Sequence, residues 1–358
     1  MTTFDAVDRL MHEALTRGVF PGAVVLAARD GQIVLHRAFG FANLFSRRVM
    51  TVDTFFDLAS LTKPLATAMA VMALVHTGRL ALDAPIETYL SNFEGTEKAG
   101  ITARDLLSHC SGLPAWRPYY IPLRRLDPPK RREALRRLLL FEPLEGKPQT
   151  SSCYSDLGFM LLQWLVEILS AMPLSRFIKQ AVYDPLGIST LFFADRSLTL
   201  GEKAYAATEL CPWRHRLLVG EVHDDNASIM GGCAGQAGLF GTARGVYDLL
   251  RGLLAADRGL AGHPLWAGDL IRDFFTRQSG RSWALGFDTP SDTGSSAGTY
   301  FSANSVGHLG FTGTSFWMDR DRSVIIILLT NRVHPTRHNQ SIRSFRPVFH
   351  DALMGSLV

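Results

Sequence analysis

A serine three residues ahead of a lysine is the first place in this sequence where reactivity could be generated. Ser60 and Lys63 lie in the run DLASLTKPLATAMAVMALVHTGRL, residues 57–80. On a helix, positions i and i+3 share a face, so the amine can reach the hydroxyl. The first helical turn also offers free backbone N–H groups and the positive end of the dipole, a setting for a nucleophile and for a developing oxyanion. Leu61, Pro64 and Leu65 surround the lysine with apolar groups. Such surroundings disfavour the charged amine and predict a base that titrates near neutral pH. Pro64 suits a first turn. The apolar residues from Ala66 to Leu74 predict a helix that is buried on nearly every side. The spacing alone is weak, since it occurs by chance about once in a chain of this size. A capping serine beside a solvated lysine would explain it equally.

The elements that must position this pair follow from patterning. Residues 4–18 read as an amphipathic helix. Val24–Ala28 and Ile33–Phe39 read as strands joined through Asp30-Gly31, a tight-hairpin signal. Thr54–Leu58 leads into the serine helix. Thr102 caps a short helix over 103–109, and Ser111-Gly112-Leu113-Pro114 stops it. Helices are expected over PKRREALRRLLL, over residues 156–170 and over RFIKQAVYDPLGI. Residues 197–235 read as loop-rich, and 263–280 as helical. Trp283–Phe287 reads as a strand. VGHLGFTGTSFWMD and SVIIILLTNR read as a strand pair turned at Asp319–Arg322, followed by a helix near 341–355. Strands at both ends and helices between them predict an α/β (α+β) fold. Its antiparallel sheet is built from residues 1–58 and 240–358, with a mainly helical part over 59–239 inserted in one unit.

Composition excludes several classes. The chain has 358 residues, 47% hydrophobic and 20% charged, which is globular rather than disordered. A net charge of +4, without an aromatic–basic pattern, does not point to nucleic acid. The longest apolar run, VIIILL, is a strand rather than a membrane span. Cys110, Cys153, Cys211 and Cys233 form no C-x-x-C pair and match no zinc spacing. They are expected as reduced thiols in a cytoplasmic protein, since the N-terminal helix lacks the features of an export signal.

Three short segments stand out together: Ser60-Leu61-Thr62-Lys63, Tyr154-Ser155-Asp156 and His308-Leu309-Gly310. In this order and spacing the sequence resembles the serine β-lactamase and penicillin-binding protein superfamily. The branch it looks most like holds class C β-lactamases, DD-peptidases and family VIII carboxylesterases, with motifs S-x-x-K, Y-x-N and K-T-G. FFDLASLTKPL, ITARDLLSHCSGLP, YSDLGFMLL, GGCAGQAGLFGTA and HLGFTGTSFWMD extend the likeness over nearly the whole chain. Taken singly, Tyr154 would be a turn tyrosine and His308 a strand histidine.

The resemblance implies a β-lactamase/transpeptidase-like fold and a serine hydrolase that needs no cofactor and no metal. It implies that Ser60 is acylated and that Lys63 takes its proton or keeps a neighbouring phenol reactive. Tyr154 would relay the proton to the leaving group. A nearby lysine charge should depress the phenol's pKa. The N–H groups of Ser60 and of Phe311, the residue after Gly310, would form the oxyanion hole. The sequence departs from the pattern twice. Asp156 replaces the usual asparagine; a carboxylate cannot donate to a substrate amide and should pair with Lys63 instead. His308 replaces the usual lysine and is expected to be partly charged at neutral pH, which weakens the pull on a substrate carboxylate. Gln236 stands where close relatives should carry histidine; it lines the cleft or serves as scaffold.

Other residues have bland and sharp readings. His109 reads as a core histidine. Glu221, His223, Asp224 and Asp225 read as a loop rather than a metal site. Trp116, Tyr119, Tyr120 and Trp213 wall an acyl pocket or simply pack. Arg131, Arg132, Arg136 and Arg137 form a solvated helix face, a lid for an anionic substrate, or a partner surface. The expected substrate is a β-lactam, a D-alanyl peptide, a muropeptide amide or a small ester. The alternative is a non-catalytic penicillin- or peptide-binding sensor on the same fold. Nucleic-acid and membrane-spanning partners are not expected, and oligomeric state is not encoded in any motif.

Overall fold

The structure is a computed structural model of the whole chain; residues 4–193, 205–260, 268–278 and 282–357 are described. Among these, eleven strands occur in chain order: β1 (Gly22–Arg29), β2 (Gln32–Asn43), β3 (Arg48–Val49), β4 (Phe56–Asp57), β5 (Leu191–Phe193), β6 (Ala207–Cys211), β7 (Arg216–Val219), β8 (Leu239–Gly241), β9 (Val306–Leu309), β10 (Ser315–Asp319) and β11 (Val324–Thr330). The main sheet has the order β3-β2-β1-β11-β10-β9 and is antiparallel throughout. The first and last parts of the chain therefore meet where Val25 pairs with Leu328. Asp30 and Gly31 turn the β1–β2 hairpin with φ of 50° and 75°, as a tight primed turn requires.

The two central strands are apolar without interruption because both of their faces are covered. Val24 and Leu26 of β1, with Ile325 and Ile327 of β11, join the large core that includes the serine helix. Val25 and Ala27, with Ile326 and Leu328, join a second core under the helices Asp5–Thr16 and Ile342–Leu357. Period-2 alternation thus feeds two cores, and neither face reads as polar.

Two expected strands differ from the structure. Trp283–Phe287 contributes only an isolated bridge between Trp283 and Asp288. VGHLGFTGTSFWMD is two strands, β9 and β10, because Gly310 N–H donates to Thr314 O at 2.7 Å and closes a turn between them. The loop-rich stretch holds β6, β7 and a short helix at Asp225–Ile229. Of the 263–280 helix, Gly268–Phe275 is seen; residues 261–267 and 279–280 lie outside the described residues. The basic helix spans Pro128–Phe141. Arg132 pairs with Glu167 at 3.3 Å, Arg136 lies 5.2 Å from the Trp164 ring, and Arg131 donates to the Ile229 carbonyl at 3.1 Å. Three of its arginines therefore clamp this helix to its neighbours, while Arg137 remains exposed. The stretch Ala59–His76 is apolar and long enough to cross a membrane, but 83% of it is buried inside the fold.

Candidate active site

Ser60 sits on a 3-10 turn, Ala59–Leu61, that runs into a π-helical segment, Lys63–Ala68, and then an α-helix, Met69–His76. π segments are rare and concentrate at functional sites. Ala59, directly before the serine, has φ of 49°, a costly conformation for a residue with a Cβ. Asp57 holds it there. One carboxylate oxygen accepts the Ala59 N–H at 2.8 Å and the other accepts the His223 N–H at 2.7 Å. The serine turn is also tied to the β9–β10 turn. Thr312 Oγ1 donates to Asp57 O at 2.8 Å, and Thr314 Oγ1 donates to Leu58 O at 3.1 Å. Gly310 is required at this joint, since a Cβ would lie 1.9 Å from Thr314 Oγ1 and 2.8 Å from Leu58 O.

The three motifs meet around Lys63. Its Nζ donates to Ser60 Oγ at 3.2 Å and to the Gln236 carbonyl at 3.2 Å, and it forms an ion pair with Asp156 at 2.6 Å. It lies 4.7 Å from the centre of the Tyr154 ring. The Tyr154 hydroxyl is in hydrogen-bonding reach of Lys63 and Ser60. Tyr154 precedes the helix Asp156–Ser170, whose cap is Ser155, its Oγ accepting the Gly158 N–H at 3.2 Å. The glycine-rich block, residues 231–243, brings its backbone close to the serine helix and to Phe159. Thr67 Oγ1 donates to Gly235 O at 2.6 Å, and a Cβ on Gly235 would lie 2.0 Å from Phe159 O. Among the described residues, the N–H groups of Ser60 and Phe311 donate to no acceptor in the protein, so both are available to a ligand oxygen.

Three electrostatic expectations are corrected. Burial alone would lower the Lys63 pKa, but the Asp156 carboxylate and the Tyr154 phenol together raise it above the ordinary lysine value. Lys63 is therefore an ammonium at rest, neutralised by Asp156. The Tyr154 phenol is pushed up by burial, and the Lys63 charge does not bring it back down. His308 falls to about 3, first through burial and then through Lys63, so it is neutral at physiological pH rather than partly charged. Its Nδ1 contacts the Leu309 carbonyl at 2.9 Å, and its Nε2 is buried with no hydrogen-bond partner among the described residues.

Two cavities meet at Ser60 and Tyr154. One, of about 350 Å³, is lined by Trp116, Asp156, Asp224, Gln236 and Phe311 among others. The other, of about 500 Å³, is lined by Trp283, Asp288, His308, Arg332, Arg343 and Arg346 among others. Among the described residues none of these three arginines has a carboxylate within ion-pair distance. Burial first, then mutual repulsion, lowers Arg332 to about 10 and Arg346 to about 9. Asp288, which burial raises to about 7, is only partly ionised at neutral pH.

Other sequence readings resolve as follows. His109 is 1% exposed, but its ring lies 4.6 Å from that of Tyr154 and its Nδ1 accepts the Ser155 N–H at 3.1 Å. It is a core residue that supports the site. The Glu221–Asp225 cluster is dispersed: Glu221 pairs with Arg216, His223 with Glu209, and Asp225 with Arg214 and Arg337. Among the described residues no group of three or more His, Cys, Asp or Glu side chains could hold a metal. Of the four loop aromatics, Trp116 lines the cleft. Tyr119 donates to Glu142 at 2.6 Å, and Tyr120 packs 5.5 Å from Trp213. Trp283, Arg343 and Arg346 were not legible as site residues, because nothing in their local sequence separates them from ordinary helix and loop residues. Gln236 both packs and lines the cleft.

This fold and this meeting of motifs define a class, and comparison with known proteins agrees. The sequence pattern of the Beta-lactamase family matches residues 7–346, and the chain belongs to that family; it is a serine hydrolase of this fold. It is 32% identical to an N-acetylmuramyl-L-alanine amidase of Bacillus subtilis (strain 168), over 92% of this chain and 80% of that protein. It is 31% identical to a "Putative D-alanyl-D-alanine carboxypeptidase" of Escherichia coli (strain K12), over 92% of this chain and 82% of that protein. Among solved structures, SurE superposes with a TM-score of 0.74 at 25% identity, covering 98% of this chain and 76% of SurE. EstCE1, described as a hydrolase with promiscuous acyltransferase activity, superposes with a TM-score of 0.73 at 20% identity, covering 96% of this chain and 98% of EstCE1. The penicillin-binding protein homologue from Pyrococcus abyssi, described as octameric, superposes with a TM-score of 0.71 at 19% identity, covering 96% of this chain and 76% of that one.

Proposed function

We propose that the protein cleaves the peptide bond before a C-terminal D-amino acid, by way of an acyl-enzyme on Ser60. The observation that carries this reading is the placement of Ser60 between two cavities, one of which is lined by Arg332, Arg343 and Arg346, none with a carboxylate in ion-pair distance among the described residues. Arg332 and Arg346 are buried and donate to backbone carbonyls, and Arg343 is the exposed cation of the three. A C-terminal carboxylate on the departing amino acid is the anion that chemistry fits. The other cavity then receives the acyl portion. The relative named a putative D-alanyl-D-alanine carboxypeptidase is named for a bond of this kind; the relative named an N-acetylmuramyl-L-alanine amidase is named for a different amide.

In this mechanism the reactive form is the one in which Lys63 has given up its proton to solvent. The neutral amine, 3.2 Å from Ser60 Oγ, takes the serine proton as Oγ attacks the carbonyl carbon. The oxyanion rests on the N–H groups of Ser60 and Phe311, each such donor contributing about 100- to 1,000-fold in rate. Tyr154 gives its proton to the departing nitrogen and recovers one from Lys63. Water then enters the vacated cavity, and the same groups remove its proton to release the acid. His308 serves as a neutral wall beside Tyr154, the rings 6.0 Å apart.

The test compares a short peptide ending in D-alanine with the same peptide carrying a C-terminal amide. Wild type should prefer the free carboxylate by about tenfold or more in kcat/KM, in line with a charged hydrogen bond. Arg343→Gln should reduce that ratio. Equal turnover of acid and amide would reject the carboxypeptidase reading.

A further inference from the structure

The cavity assigned to the acyl portion contains, among the described residues, one buried acceptor without a donor and one carboxylate without an ion-pair partner. Gln236 is 1% exposed, and its Nε2 donates to Asp224 Oδ1 at 3.2 Å. A carboxylate only accepts, so this contact fixes the amide with its nitrogen toward Asp224. Gln236 Oε1 is then buried without a donor among the described residues. A buried acceptor left unmade costs free energy, and its persistence at a cleft wall points to a ligand donor.

Asp224 is the carboxylate of this cavity that has no ion-pair partner among the described residues. The other carboxylates of this cavity are neutralised: Asp156 by Lys63 at 2.6 Å, and Asp225 by Arg214 at 2.8 Å and Arg337 at 3.2 Å. Arg337 is further committed to Glu209. Asp224 accepts the Ala227 N–H at 2.7 Å and the Gln236 amide, but among the described residues it has no cation within ion-pair distance. Burial, reinforced by Asp156, raises it to about 6, and the Ala227 N–H and the more distant Lys63 charge offset this only in part, so it is largely ionised at neutral pH.

We propose that Asp224 and Gln236 form a subsite for an ammonium group on the acyl portion of the substrate. An ammonium carries three donors and no acceptor. One donor meets the Asp224 carboxylate and another meets Gln236 Oε1. An amide nitrogen or a hydroxyl could meet one of these acceptors, but only a cation also neutralises the carboxylate. With the arginine-lined cavity on the far side of Ser60, the cleft is electrically polarised. It fits a zwitterion, with an amine in the acyl portion and a carboxylate on the departing one. The inference rests on Ser60 being the acylated residue, as proposed above.

The test uses p-nitrophenyl esters, which report acylation whether or not the peptide bond is cleaved. The free-amine probes are the esters of D-alanine and of Nα-acetyl-D-lysine, each compared with its fully acetylated counterpart. Nitrophenolate release gives kcat/KM, and intact mass locates the adduct. At least one free-amine ester should be favoured over its acetylated partner by about 10- to 100-fold in wild type. In Asp224→Asn, which keeps an acceptor for the Ala227 N–H, that ratio should collapse to about one. Near-UV circular dichroism checks that the variant is folded. Ratios at or below one in wild type overturn the proposal without any variant, as does a ratio that survives in Asp224→Asn. An adduct on Ser60 without amine preference removes this subsite alone. No Ser60 adduct with any ester removes the acyl-enzyme reading and this subsite together.

Discussion

Replacing Asp156 with asparagine removes the carboxylate that neutralises a fully enclosed lysine, and the cost should depend on pH. The Lys63 side chain is 0% exposed, Asp156 is 17% exposed, and the two lie 2.6 Å apart. Removing one partner of a buried pair costs about 3–5 kcal/mol while the other stays charged. That loss leaves burial unopposed by the carboxylate and puts the variant's amine below its unfolded value of about 10.4. In wild type the folded pKa lies above the ordinary value. The pair's stabilisation is therefore present below about pH 10.4 and is lost only as pH rises through the folded pKa. In the variant the penalty is fully present below the lowered folded pKa and is relieved as pH rises toward about 10. Urea unfolding should show wild type ahead by about 3–5 kcal/mol at pH 6, with a smaller gap at pH 9. A gap under about 1 kcal/mol at pH 6, or one that does not narrow by pH 9, would refute the ion-pair account.

Further outcomes follow from the same geometry. Asp156→Asn also restores a donor at the cleft, so acylation by penicillins should rise by about tenfold, read as the rate of adduct formation by intact mass. His308 titrates at about 3, so it should contribute no limb to kcat/KM between pH 5 and 8. A limb near 6.5 that disappears in His308→Gln would contradict this. Because that folded pKa is depressed, His308 should cost stability as pH falls from about 6.5 toward 3. Gly235→Ala forces a Cβ to within 2.0 Å of Phe159 O and should cost about 1–3 kcal/mol in thermal denaturation. Gly100→Ala, where a Cβ meets nothing within 4 Å, should change stability by less than about 0.5 kcal/mol.

Sequence reasoning reached the site where chemistry is local. Ser60, Lys63, Tyr154 and Asp156 are legible because each motif is a short run, and the Lys63–Asp156 pair follows from charge alone. The sheet drawn from both ends is legible because β1, β10 and β11 are strongly apolar strands with clear turn signals. What was not legible depends on distant residues. The Lys63 surroundings looked apolar from Leu61, Pro64 and Leu65, but its pKa is raised by Asp156, 93 positions away. His308 looked able to titrate until it was enclosed within ring-contact distance of Tyr154 and Trp283. Trp283, Asp288, Arg343 and Arg346 enter the cleft through folding of the last third of the chain, with no motif to mark them. Asp224 looked like part of an acidic loop. Its lack of a cation becomes visible only once Asp225 and Glu209 have taken theirs.

The central claim is that Ser60 is the residue acylated. Intact-protein mass spectrometry after brief mixing with an activated ester or a penicillin, on wild type and on Ser60→Ala, tests it most directly. The account predicts one adduct of the acyl mass on wild type, mapped to the peptide containing Ser60, and none on the variant. An adduct of equal yield on Ser60→Ala, or turnover by the wild type with its adduct mapped elsewhere, would contradict it.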